Sequence, residues 1–153
     1  MPGYYPEVGI ILKQARQLGI TVPFIGCEAW DSPTLLQVAG KAADGCYFSN
    51  QFSAGDPSPV VQEFGKVYRA KFGKLPDNFA ALGYDAVNVV LDAIKRAGSA
   101  NSSAIRDAIA QTKDFPGVSG RITIDAHRNA SKPAVILAIK DEQVQYYEKI
   151  SPN

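Results

Sequence analysis

Between Gly3 and Trp30 the chain reads as loop, helix, turn, strand and loop, and that order leaves few folds open. Pro6 suits the first helical turn, and Glu7 sits where the helix dipole favours an anion. Ile11, Leu12, Ala15 and Leu18 recur at three-to-four spacing, which predicts one apolar face. Gly19 fits the position after the helix end, and Thr21 to Ile25 is a β-rich run that Gly26 closes. Asp31 or Ser32 can then cap a second helix with Pro33 at its first position, and Leu35, Leu36, Val38 and Ala39 supply its apolar side. Gly45 to Ser49 is the next predicted strand. The sum is a parallel β-α-β unit whose crossover should be right-handed. In such sheets ligands gather outside the carboxyl ends of the strands. Tyr4 lies in the loop before the first helix, and Glu28 and Trp30 lie in the loop after the first strand. A phenol, a carboxylate and an indole facing one crevice suit a small ligand with an ammonium group and an apolar body.

Beyond this unit, Gln51 to Ser58 is polar and rich in turn formers, as in a connection between substructures. A helix is expected over about Pro59 to Phe72, with Val60, Val61, Phe64, Val67, Tyr68 and Phe72 on one side and Gly73 as its stop. A longer one, capped by Asp77 or Asn78, should run to Ala97. Leu82, Ala86, Val89, Val90, Ala93 and Ile94 make it apolar almost all round, which predicts a mostly buried helix. A third, about Ser102 to Thr112, takes Ser102 as its cap. From Phe115 the pattern becomes β: Arg121 to Ile124 alternates, Asp125 to Lys132 is a turn, and Ala134 to Ile139 pairs with Val144 to Tyr147 across Asp141–Gln143. Asp85, near the start of an apolar helix, needs partners if buried, and a structural role is favoured for it over ligand contact.

The 153 residues suffice for a real core, with 46% hydrophobic and 20% charged residues. Sixteen Lys and Arg against fifteen Asp and Glu give no electrostatic reason to expect nucleic acid or an anionic membrane as a partner. Enzymatic chemistry is not expected. His127 is the only histidine, so no Ser/His/Asp set assembles convincingly. Gly117-Val118-Ser119-Gly120 lacks nucleophile-elbow spacing, and neither a dinucleotide fingerprint nor a phosphate loop occurs. Cys27 and Cys46 match no zinc pattern. They read as two free thiols, and a disulfide stays open if their Cα atoms approach to about 4.4–6.8 Å. No metal and no cofactor is expected. No basic segment leads into an apolar one at the start of the chain, which taken alone argues for the cytoplasm.

Several stretches carry a family resemblance. Gly3-Tyr4-Tyr5-Pro6-Glu7-Val8-Gly9, the Leu12-Lys13-Gln14-Ala15-Arg16 run and Gly26-Cys27-Glu28-Ala29-Trp30 resemble the second lobe of a type I periplasmic binding protein. Gly45 to Asn50, Phe79 to Ala86 and Gly117 to Asp125 agree, so the likeness covers the whole chain in order. The most similar group is the branched-chain amino acid (Leu/Ile/Val) binding proteins of ABC transporters. The resemblance implies an α/β chain that is the C-terminal portion of a two-lobe fold: a parallel βαβ unit, then helices, then a C-terminal β-hairpin. It divides the chain into 1–50 (remainder of the second lobe), 51–58 (inter-lobe linker), 59–125 (helical part of the first lobe) and 126–153 (C-terminal hairpin).

The resemblance also implies a periplasmic or lipid-anchored parent that closes on an amino acid and presents it to an ABC permease, with no chemistry on the ligand. Within it, Glu28 pairs with the ligand's α-ammonium and Tyr4 stacks on or hydrogen-bonds the ligand. Trp30 either walls the apolar pocket or packs in the core. This chain has Cys27 before Glu28, where many relatives have Gly or Asp. The groups that hold the ligand carboxylate belong to the other lobe, so weak or absent ligand binding is expected of this chain alone. Two parallel strands are a poor platform for the helices. Two outcomes are then open, exchange between two chains about a hinge at Gln51–Ser58 or rearrangement into a compact domain, and a homodimer is the one expected.

Overall fold

Pro6 has no N–H to leave unpaired, and the first bond of helix α1 (Tyr5–Gln17) runs from the Val8 N–H to the Tyr4 carbonyl at 3.0 Å. From that start the computed structural model describes residues 1–152, in two units. Residues 1–51 and 135–150 form the first, and residues 52–134 with the C-terminal tail form the second.

The first unit is built on a four-stranded sheet of β1 (Ile25–Gly26), β2 (Tyr47–Asn50), β6 (Ala134–Lys140) and β7 (Gln143–Ile150), in that order. Strand β1 (Ile25–Gly26) lies parallel to β2 (Tyr47–Asn50), with Ile25 opposite Tyr47. Strand β6 (Ala134–Lys140) runs antiparallel to β2. Its Val135, Leu137 and Ile139 are buried while the residues between them are half-buried, the period-2 signature of one face on a core. A turn at Asp141 and Glu142, with φ of 52° and 58°, leads into β7 (Gln143–Ile150), as a two-residue hairpin of mirror-image type requires. Helix α2 (Pro33–Ala39) packs against α1, and Ser32 caps it by accepting the Thr34 N–H at 3.2 Å. The core between helices and sheet holds Val8, Leu12, Trp30, Leu35, Phe48 and Leu137.

Three details differ from the sequence reading. The buried stripe of α1 is Val8, Gly9, Leu12 and Ala15, while Ile11 and Leu18 face solvent. The stripe is thus centred one residue-row away from the expected one, because Val8 rather than Leu18 completes it. The first strand is two residues long instead of five, and Gly26 belongs to it. Its partner β2 begins at Tyr47, opposite Ile25, so no strand residue faces Thr21 to Phe24. The C-terminal strand pair joins the same sheet as β1 and β2 instead of standing as a separate piece.

The second unit comprises α3 (Pro59–Phe72), α4 (Asn78–Ala97), α5 (Ser102–Ala110) and a sheet of β3 (Phe115–Gly117), β4 (Gly120–Ile124) and β5 (Ala130–Ser131), antiparallel throughout. Phe52 and Asp56, inside the stretch read as a polar connection, are buried within it. Asp77 caps α4 through the Ala80 N–H at 2.8 Å, and Gly98 ends it in the left-handed region. The cap of α5 is Asn101 in place of Ser102, its Oδ1 accepting the Ser103 and Ala104 N–H groups. Ser58 stands at the cap position of α3 without a side-chain cap bond. Arg96 ties α4 to the end of α5, donating to the Ala108 carbonyl at 2.6 Å and the Thr112 hydroxyl at 3.0 Å.

Asp85 is buried and meets its need for partners. Its carboxylate accepts the Val118 N–H at 2.7 Å, the Ser119 N–H at 2.9 Å and the Ser119 hydroxyl at 2.6 Å. Gly117 makes this possible, since a Cβ there would lie 2.7 Å from Asp85 Oδ2. The expected burial of α4, by contrast, is overturned on one side. Ala81, Asp85, Val89 and Ala93 are buried, but Phe79, Tyr84, Val87, Val90, Leu91 and Ile94 stand exposed, because no described element of the chain covers that face.

Candidate functional site

Within the first unit the candidate residues lie in the loop that enters α1 and the turn that leaves β1. Gly3, at φ +135°, lets the chain bend into the helix. Tyr4 follows with extended backbone, makes no side-chain cap bond and is 70% exposed. The N-terminal ammonium of Met1 donates to the Ile25 carbonyl, which holds this entering segment beside β1.

After β1 the chain makes a 3-10 turn over Glu28–Trp30, closed by the Trp30 N–H on the Cys27 carbonyl at 2.9 Å and the Asp31 N–H on the Glu28 carbonyl at 3.0 Å. Glu28 is exposed and makes no ion pair among the described residues. Two anchors fix the turn. The first is Trp30, wholly buried, with its ring centroid 6.3 Å from that of Phe48. The indole lies on the Gly26 backbone so closely that a Cβ there would fall 2.1 Å from Trp30 Cε2. The second anchor is Asp31, whose Oδ2 accepts the buried Asn50 side-chain amide at 2.6 Å, while Asn50 Oδ1 accepts the Gln51 N–H at 2.7 Å. Asn50 ends β2, so both parallel strands deliver their carboxyl ends to this turn.

Tyr4, at the entry to α1, and Glu28, in the turn after β1, are both open to solvent. Trp30 offers no surface to a ligand here; it is a core residue whose indole N–H has no acceptor among the described residues. Asp31 and Asn50 were not singled out as site residues by sequence. A polar residue ending an apolar strand is the one sequence signal for Asn50, and Asp31 reads in sequence only as a helix cap. Cys27 and Cys46 are free thiols, half-buried and buried respectively. No group of three or more His, Cys, Asp or Glu side chains able to hold a metal is present among the described residues. No described helix is long and apolar enough to cross a membrane. A separate groove of about 710 Å³ lies in the second unit between α3 and α4, walled by Val60, Phe64, Val67, Tyr68, Phe72 and Tyr84.

Sequence and structure comparisons agree on the class. The profile described as periplasmic binding protein matches residues 5–143, and the chain belongs to that family. The "Leucine-, isoleucine-, valine-, threonine-, and alanine-binding protein" of Pseudomonas aeruginosa is 28% identical over 123 residues, which is 80% of this chain and 32% of that protein. The "Leu/Ile/Val-binding protein homolog 2" of Brucella abortus is 29% identical over 153 residues, 96% of this chain and 40% of that protein. Among solved structures, the leucine binding protein LivK of Thermotoga maritima is 41% identical with a TM-score of 0.86, over 99% of this chain and 43% of its own. The branched-chain amino acid transporter substrate binding protein LivJ of Streptococcus pneumoniae, solved with isoleucine, is 38% identical with a TM-score of 0.81, again over 99% and 43%. The chain thus spans roughly a third to two fifths of the length of these relatives.

Proposed function

We propose that this chain is a solute-binding piece of the branched-chain amino acid class, in which Tyr4 and Glu28 meet the ammonium end of the ligand and Trp30 holds the Glu28 turn from beneath. The observation that carries the reading is Glu28: an exposed carboxylate with no ion-pair partner among the described residues, on a turn pinned by a buried indole and by the Asp31–Asn50 bond. A carboxylate so placed can form a charge-assisted bond to an ammonium without first breaking one of its own. The relatives' names support an amino acid as the ligand, and the transporter role of the LivJ relative supports delivery of that ligand to an ABC permease in the periplasm. The site here presents one wall, so binding by the chain alone should be weak. Calorimetry with leucine, isoleucine and valine is expected to give a Kd on the order of 1 mM or weaker, lost on Glu28→Gln. Undiminished binding by the Glu28→Gln chain would contradict the proposal.

A second reading, a self-associating half without ligand, is favoured by one observation: the apolar side of α4 that stands in solvent.

A further inference from the structure

A hollow of about 780 Å³ lies in the second unit between α5 and the end of β4 with the turn that follows it. It shares no residue with the α3–α4 groove. Its size falls within the roughly 300–1,000 Å³ of small-molecule sites. Two hydrogen bonds hold its walls together. The Ile124 N–H donates to the Thr112 carbonyl at 3.0 Å, just past the end of α5, and the Asp114 N–H donates to the Thr123 hydroxyl at 3.0 Å. Ile109, Ala110, Ile124 and Ala126 give the hollow an apolar lining.

Four charged side chains also line it, and three of them are engaged. Arg106 Nε and Nη2 both donate to Asp107 Oδ1, at 2.8 and 2.6 Å. Asp125 is held by its own turn: Oδ1 accepts the His127 and Asn129 N–H groups at 2.8 Å each, and Oδ2 accepts the Asn129 side-chain amide at 3.2 Å. Arg128 makes no ion pair among the described residues. The turn carries it at φ 69°, where a residue other than glycine is uncommon.

We infer that this hollow binds a monoanionic organic acid, with the carboxylate on the Arg128 guanidinium and the hydrocarbon body against Ile109 and Ile124. A guanidinium presents a planar fork of donors that matches the two oxygens of a carboxylate. The apolar lining takes the part of the ligand that water solvates poorly. Asp107 and Asp125 oppose a second negative charge, so a dianion such as phosphate is disfavoured. The site uses neither Tyr4 nor Glu28, so its failure would leave the amino acid proposal standing.

Titration of the full chain with octanoate, followed by NMR amide shifts, tests it. Shifts should appear at 106–110 and 124–128, with a Kd on the order of 0.5 mM. Arg128→Gly should weaken binding about tenfold or more. Its melting temperature should stay nearly unchanged, because glycine accepts the left-handed turn freely and this offsets its greater freedom when unfolded. Octanamide, of the same length but uncharged, should bind about tenfold more weakly than octanoate. Inorganic phosphate should leave these amides unmoved. Any of the following overturns the inference: no shifts at 106–110 and 124–128, shifts confined to the α3–α4 groove, equal binding of octanamide or by the Arg128→Gly chain, or a response to phosphate that matches the response to octanoate.

Discussion

Asp85 shows how much can rest on one side chain. Its carboxylate satisfies two backbone N–H groups in the turn between β3 and β4, and both would lose their acceptor in Asp85→Ala. Leaving buried donors unmet should cost about 3 kcal/mol in a urea unfolding experiment; a loss below about 1 kcal/mol would show that water replaces the carboxylate. Gly26→Ala tests the other close contact. The new methyl would displace the indole of Trp30, the sole tryptophan, and lower stability by about 1–3 kcal/mol. Tryptophan emission should shift to the red; an unshifted spectrum would mean the indole does not rest on Gly26. Asp125 offers a titration. The Asn129 backbone N–H bonds its carboxylate, with further help from the Asn129 side chain and the His127 N–H, and holds its pKa below the usual 3.8. A depressed carboxyl pKa stabilises the loop at pH above the usual value, and the contribution is lost as pH falls through the folded pKa. NMR titration should give a midpoint under 3.8, and one at or above it would contradict the bond pattern. At this scale the sequence was partly legible. Asp85 was read as structural because a carboxylate inside an apolar helix demands donors. Asn50 escaped notice because its partner, Asp31, lies 19 residues away and becomes a neighbour only once the sheet forms.

Helices were more legible than strands. The start and stop of α3 and α4 follow from Pro59, Gly73, Asp77 and Gly98, which act through local backbone geometry. Strand β1 is shorter than its β-rich run because its length depends on where its partner β2 begins, at Tyr47 opposite Ile25, and that is a non-local property. For the same reason the burial of α4 could not be read from its composition: an apolar helix is buried only where something covers it. The local character of the caps yields a prediction. Asn101 Oδ1 accepts two N–H groups at the start of α5, so Asn101→Ala should destabilise by about 1 kcal/mol, and Ser102→Ala should be near neutral. The reverse order in thermal or urea unfolding would restore Ser102 as the cap.

The whole chain aligns with leucine and isoleucine binding proteins over nearly all of its own length and under half of theirs. Family membership was legible from the motifs at Gly3–Gly9 and Gly26–Trp30. The split of roles within the second motif was not, because Glu28 and Trp30 are two residues apart yet one faces water and the other the core. The central claim is that Tyr4 and Glu28 share a ligand. NMR amide shifts on titration with leucine test it most directly: they should move together at residues 3–5 and 27–31 and be abolished by Glu28→Gln, whereas shifts centred on the α3–α4 groove, or at Tyr4 without Glu28, would contradict it.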